Sequence, residues 1–157
     1  MKMRRKDREV TSPEEIRAII DNCQVCRIAM EDLEGLYIVP LNFGYTYENN
    51  QLELYFHSAK RGRKINALRE NSEVGFEMDC DHKLVTGEAA CNYSYSFKSI
   101  IGKGQVSFID DIEKKKEALS LLMKHQTRED FVFDDKMAAT VEVFKIRASS
   151  FTGKVHS

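Results

Sequence analysis

Two strand patterns joined by a tight turn, followed by a basic loop and a helix start, fill the stretch from Pro40 to Leu68. No other part of the chain limits its fold as tightly. Tyr37 to Tyr45 reads as one strand and Leu52 to His57 as the next, with Glu48-Asn49-Asn50 as the turn between them. The loop Ser58-Ala59-Lys60-Arg61-Gly62-Arg63-Lys64 then leads into a short helix over Gly62 to Asn71, with Ile65 and Leu68 inward. Four cationic side chains and one glycine thus stand where a strand gives way to a helix. Unpaired N–H groups and the positive end of the helix dipole favour an anion there, and Arg63 and Lys64 can neutralise a phosphate.

The rest of the chain reads as strands with a few helices. Residues 1–11 form a charged arm without periodicity. Thr11-Ser12-Pro13-Glu14-Glu15 starts a helix of about ten residues, with a hydroxyl cap, an early proline and acids near the positive end. Val25 to Met30 alternates as a strand and turns at Asp32 to Gly35. Val74 to Met78 is another strand, and the polar segment Asp79 to Ala90 reads as a loop. Cys91 to Ile109 favours long strands interrupted at Gly102 and Gly104, as at bulges. Asp110-Asp111 caps an amphipathic helix reaching Gln126, Thr127 to Asp135 is a linker, Met137 to Ile146 is a last strand, and 151–157 is a tail. Six hairpin-linked strands with three helices predict a mainly β, small antiparallel barrel in a single domain, 1–157. A doubly wound parallel sheet would need a helix between nearly every pair of strands.

Composition narrows the function classes. A formal charge of −1 leaves no global basic excess for nucleic acid. No apolar run approaches the roughly 18 residues of a spanning helix. Met1 to Glu9 is charged where a signal peptide would be apolar. A cytoplasmic protein with neither nucleic-acid nor membrane partners is expected. Cys23 and Cys26 form a Cys-x-x-Cys pair, but Cys80 and Cys91 make no second close pair, so core packing is expected rather than a metal site.

Two segments are candidates for chemistry. The basic loop is not a Walker or dinucleotide fingerprint, because Gly62 stands alone. The readings left are a solvated surface or a phosphate clamp of side chains, Ser58, Arg63 and Lys64, beside His57. In Pro40-Leu41-Asn42-Phe43-Gly44-Tyr45, proline marks an edge or a bulge, and free backbone groups there suit a planar heterocycle. Asn42 offers it both a donor and an acceptor. A plain edge strand explains that segment equally well. Of His57, His82, His125 and His156, only His57 has neighbours that suggest a role beyond structure.

Several of these segments together carry a resemblance. Met3 to Glu9, Val39 to Tyr45, Leu54 to Ala59, Gly62-Arg63-Lys64 and Ser99 to Gly104 resemble the nitroimidazole-resistance branch of the pyridoxamine 5′-phosphate oxidase-like flavoproteins. The similarity runs from the arm to the helix after Asp111 and weakens in the tail. It implies a split β-barrel forming a two-fold homodimer, with FMN in a groove between subunits. It places Pro40, Leu41, Asn42 and Phe43 along the flavin ring, and His57, Ser58, Arg63 and Lys64 at the ribityl phosphate. It also brings Ser99 towards the flavin and makes His57 the side chain expected to touch a substrate.

The oxidases proper end in a segment bearing tryptophan and arginine; this chain has no tryptophan, and its end supplies only Arg147 and Lys154 as cations. The resemblance therefore implies an FMN-dependent oxidoreductase that reduces a small acceptor such as a nitroaromatic, with a reduced nicotinamide as electron donor. The alternatives are a flavin- or haem-binding protein without turnover, activity like that of pyridoxamine 5′-phosphate oxidase, and a plain barrel binding a protein partner.

Overall fold

Every strand pairs antiparallel with its neighbours in one sheet that curls around a shared core. The computed structural model describes all residues, Met1–Ser157. The strands are β1 (Glu9–Val10), β2 (Val25–Asp32), β3 (Gly35–Asn42), β4 (Gly44–Glu48), β5 (Gln51–Ser58), β6 (Glu73–Val85), β7 (Ser94–Phe108) and β8 (Glu142–His156). The helices are α1 (Pro13–Asn22), α2 (Arg63–Glu70), α3 (Ile112–Thr127) and α4 (Asp135–Ala139). The sheet runs β3-β2-β6-β7-β8-β5-β4, with β1 added beside β8. No helix is long and apolar enough to cross a membrane.

Local chemistry explains the elements. Ser12 accepts a bond from the Glu15 N–H and Pro13 opens α1, whose Ile16, Ile19 and Ile20 are buried. Asn49 and Asn50 both take positive φ between Glu48 and Gln51, the backbone that a two-residue hairpin turn requires. Asp111 caps α3 by accepting from the Lys114 N–H. Inside the sheet, Phe56 stacks on Phe144 at 5.2 Å, and Phe43 tilts against Phe56 at 6.5 Å. All three rings are fully buried. The thiols of Cys23, Cys26 and Cys80 are buried too, and burial pushes their pKa values up, to about 12 for Cys26. They pack as small apolar groups.

The structure departs from the sequence reading in five places. The sheet has eight strands rather than six. Tyr37 to Tyr45 is not one strand: β3 pairs with β2 as far as Asn42, and β4 pairs with β5 from Gly44, so the chain changes partner at Phe43. The segment Asp79 to Ala90 is largely strand. β6 continues to Val85 past an irregularity between Cys80 and Lys83, where Asp81 has φ +57°. That ribbon is exposed on both faces, so no alternation betrays it. The expected tail is the second half of β8, held between β7 and β1 of the N-terminal arm. Finally, Met137 lies in α4, which Asp134 caps, and the last strand begins only at Glu142.

Helix α3 lies directly on β4. A Cβ added to Gly44 would sit 2.6 Å from the Leu122 Cα and nearer still to its backbone nitrogen, so only glycine allows this approach. Gly44→Ala is expected to cost roughly 2–3 kcal/mol or to prevent folding. Gly75→Ala, where the new Cβ meets the Ala29 Cβ at 3.8 Å and the Gly102 carbonyl oxygen at 3.9 Å, both ordinary contacts, should cost less than about 1 kcal/mol. Urea midpoints of the two variants decide; equal losses would mean that α3 does not rest on Gly44.

Candidate functional site

The change of partner at Phe43 leaves the sheet open. β3 is an edge strand along its whole length, as Pro40 requires. β5 has β4 beside it only as far as Tyr55, so Phe56, His57 and Ser58 are paired with β8 alone. Two incompletely paired strands therefore flank Phe43. α2 starts just beyond Ser58 and packs on β2.

All the candidate residues but Ser99 belong to the elements that border this opening. Pro40 and Asn42 are exposed on β3, while Leu41 turns inward against the core. The Phe43 side chain is fully buried, 4.6 Å from the His125 ring, so only its backbone faces the opening. His57 keeps an exposed edge on β5; partial desolvation, followed by the positive charge of Lys64, lowers its pKa. Ser58 is buried, opposite Glu142 of β8. That carboxylate is paired at 3.2 Å with Arg69, whose guanidinium also lies 4.0 Å over the Phe108 ring, so it opposes an incoming anion weakly.

The two cations that open α2 have different surroundings. Arg63 is committed within the chain. Its Nε and Nη2 donate to both Asp32 oxygens at 2.7 and 3.0 Å, Glu34 lies 3.3 Å away, and its guanidinium stacks 4.4 Å over Tyr37. The hydrogen bond from Arg63 in turn holds the Asp32 pKa low. Lys64 is half-buried, and desolvation alone moves its pKa, downwards, with no carboxylate beside it. Gly62, at φ +141°, brings the chain into α2 and offers no side-chain cap, whereas Ser12, Asp111 and Asp134 cap the other helices. A desolvated cation, a buried hydroxyl and uncapped N–H groups suit a phosphate ester such as the tail of FMN.

Ser99 lies apart from this group. It is buried on the outer face of β7, where it pairs with Asp79 and with Lys154 of β8; His57 pairs with Val143 at the opposite end of β8. β2 and β6 separate it from Asn42.

Four residues that matter here carry no sequence signal. Asp32 and Tyr37 hold Arg63, and Gln24 and Gln126 hold Asn42. The Asn42 Nδ2 donates to the Gln24 carbonyl at 3.0 Å and to Gln126 Oε1 at 3.3 Å. The Gln126 Nε2 donates to the carbonyls of Gln24 and Phe43 at 3.1 and 3.0 Å. Each of these contacts joins separate elements, which spacing along the chain cannot reveal.

Comparison with known proteins agrees with the fold. A crystal structure from Bacteroides thetaiotaomicron, described as a candidate 5-nitroimidazole antibiotic resistance protein, is 38% identical with a TM-score of 0.79. The match covers 94% of this chain and 86% of that one. The FAD and haem binding protein of Mycobacterium smegmatis shares the fold at 17% identity and TM-score 0.81, over 96% of this chain and 74% of that one. An FAD-binding protein of Mesorhizobium loti does so at 24% and 0.62, over 94% and 96%. No curated protein matches the chain. The family model described as pyridoxamine 5′-phosphate oxidase matches residues 12–155. The chain belongs to that family of split-barrel proteins.

Proposed function

We propose that this chain binds FMN at the opening beside Phe43 and works as a cytoplasmic oxidoreductase that reduces a small acceptor of the nitroaromatic class. A reduced nicotinamide supplies the electrons. The observation that carries the reading is Lys64, a half-buried cation without an anionic partner, at the uncapped start of α2 and near enough to His57 to lower its pKa. The 38%-identical relative described as a candidate 5-nitroimidazole resistance protein favours the acceptor class. The relatives named for FAD binding favour a flavin.

In this reading the phosphate is held by Lys64, Ser58 and the first N–H groups of α2. Pro40, Leu41, Asn42 and the Phe43 backbone border the ring. When bound, the flavin supplies the two-electron transfer. Arg63 has a different part from the one its sequence position suggests: it ties α2 to the β2–β3 turn through Asp32, and so places Lys64. His57 meets the substrate as a neutral imidazole, able to donate or accept a hydrogen bond. A two-fold dimer completes the site. Leu36, Ile38 and Ile101 are 82, 64 and 46% exposed on the outer face of the sheet, apolar side chains on either side of the Arg27–Glu77 ion pair that suit a second copy, and Ser99 on that face serves the partner's flavin.

Haem is the second reading, favoured by the relative that binds both groups. His125 is buried with its Nε2 2.7 Å from the Cys23 carbonyl, so of the two histidines near the opening His57 is the better placed axial ligand. The visible spectrum of the purified protein separates the two through flavin bands or a Soret band.

Lys64→Ala is expected to weaken FMN about ten- to a hundredfold while changing riboflavin little, since a charge-assisted bond to phosphate is worth roughly 1.5–3 kcal/mol. Arg63→Ala should weaken both flavins to a similar, smaller extent. Fluorescence titrations read both effects, and equal losses of FMN and riboflavin in Lys64→Ala would place the lysine elsewhere. Protonation gives an independent check. His57 has its pKa lowered in the fold, so whatever stability its neutral form contributes above the unfolded value is lost as pH falls through the folded one. Removing the Lys64 charge in Lys64→Met should raise the His57 midpoint in an NMR titration of the imidazole; an unmoved midpoint would separate the two residues.

A further inference from the structure

The amide network around Asn42 decides which half of that side chain is free. Main-chain carbonyls only accept, so the amide nitrogens of Asn42 and Gln126 must be the atoms that face the carbonyls of Gln24 and Phe43. With the Gln126 nitrogen fixed in this way, its Oε1 is the atom left to meet the Asn42 Nδ2. Flipping either amide would set oxygen against oxygen. Asn42 therefore keeps its donor inside the network, and its Oδ1 is the unpartnered acceptor of an exposed residue on an edge strand.

The ring proposed for this opening can answer an acceptor in one way. Oxidised isoalloxazine carries a single N–H, at N3; its N1, N5 and two carbonyl oxygens accept. We infer that Asn42 Oδ1 takes the hydrogen bond from flavin N3–H, and that Gln126 is a positioning residue that holds Asn42 in this orientation from the end of α3. The inference rests on the flavin reading above and adds to it the edge of the ring that meets β3. Asn42 then discriminates: a heterocycle offering only acceptors along that edge finds no partner.

The test compares FMN with N3-methyl-FMN, which lacks the N–H, by fluorescence titration of the wild-type protein. It also follows the 15N3 resonance of labelled FMN on binding. The wild type should bind FMN about three- to tenfold more tightly, the worth of one neutral hydrogen bond. In Asn42→Ala, FMN affinity should fall by that factor, N3-methyl-FMN should be unaffected, and the bound 15N3 resonance should move. Gln126→Met, which keeps the volume and removes the amide, should show the same pattern more weakly, and a folding defect alone would not shift the 15N3 signal. Equal binding of the two flavins by the wild type, or an unmoved 15N3 resonance in Asn42→Ala, overturns the assignment and leaves the flavin reading standing. Failure to bind either flavin overturns that reading itself.

Discussion

The sheet opens at a single residue, and that residue is locked from three sides. Phe43 sends its ring between Phe56 and His125, and Gln126 takes its carbonyl. Its neighbour Gly44 lies against the backbone of α3. Because the backbone must satisfy its polar groups somewhere, a chain leaving one ladder for another exposes strand edges on both sides of the crossing. The opening is thus a product of topology, and α3 is the brace that keeps it in one shape. Sites built on such fixed backbone hold their groups more exactly in place than sites on free loops.

Charge at the opening follows from which cations are already engaged. A guanidinium held in a fork by a carboxylate and stacked on an aromatic ring contributes geometry more than free positive potential. An ammonium that is partly desolvated and has no counter-ion does the reverse, because its field is weakly screened on the protein side. Arg63 and Lys64 are adjacent in sequence and divide these two tasks between them. Asp32 does more here than an ordinary exposed ion pair. It sets the place of α2 as well as balancing a charge.

Much of the local structure was legible in the sequence. The caps of α1 and α3, the Asn49-Asn50 turn and the strand-loop-helix order around Ser58 follow from side-chain chemistry close along the chain. The match to a family by several short segments was legible as well. What escaped depends on contacts between distant segments. Alternation fails where a ribbon is wet on both faces, as at the end of β6. It fails too where a strand is pinned by a neighbour rather than by its own pattern, as in the last residues of β8 beside β1. Within the candidate site, the basic loop and the proline-bearing strand were readable, whereas the partner of Arg63 and the amide network under Asn42 were not. Nothing in residue spacing couples Asp32 to Arg63, or Gln126 to Phe43.

The position of β8 in the sheet has a consequence for the order of assembly. It is the last strand in the chain, yet it pairs with β7, with β5 and with β1 of the N-terminal arm. During synthesis the β2–β3 and β4–β5 hairpins can form early, since each closes over a two-residue turn. The two ends of the sheet stay unconnected until the strand from Glu142 to His156 has emerged. Closure waits on pairing between the first and last segments, the kind of long-range step that slows folding and leaves half-made sheets open to association with one another.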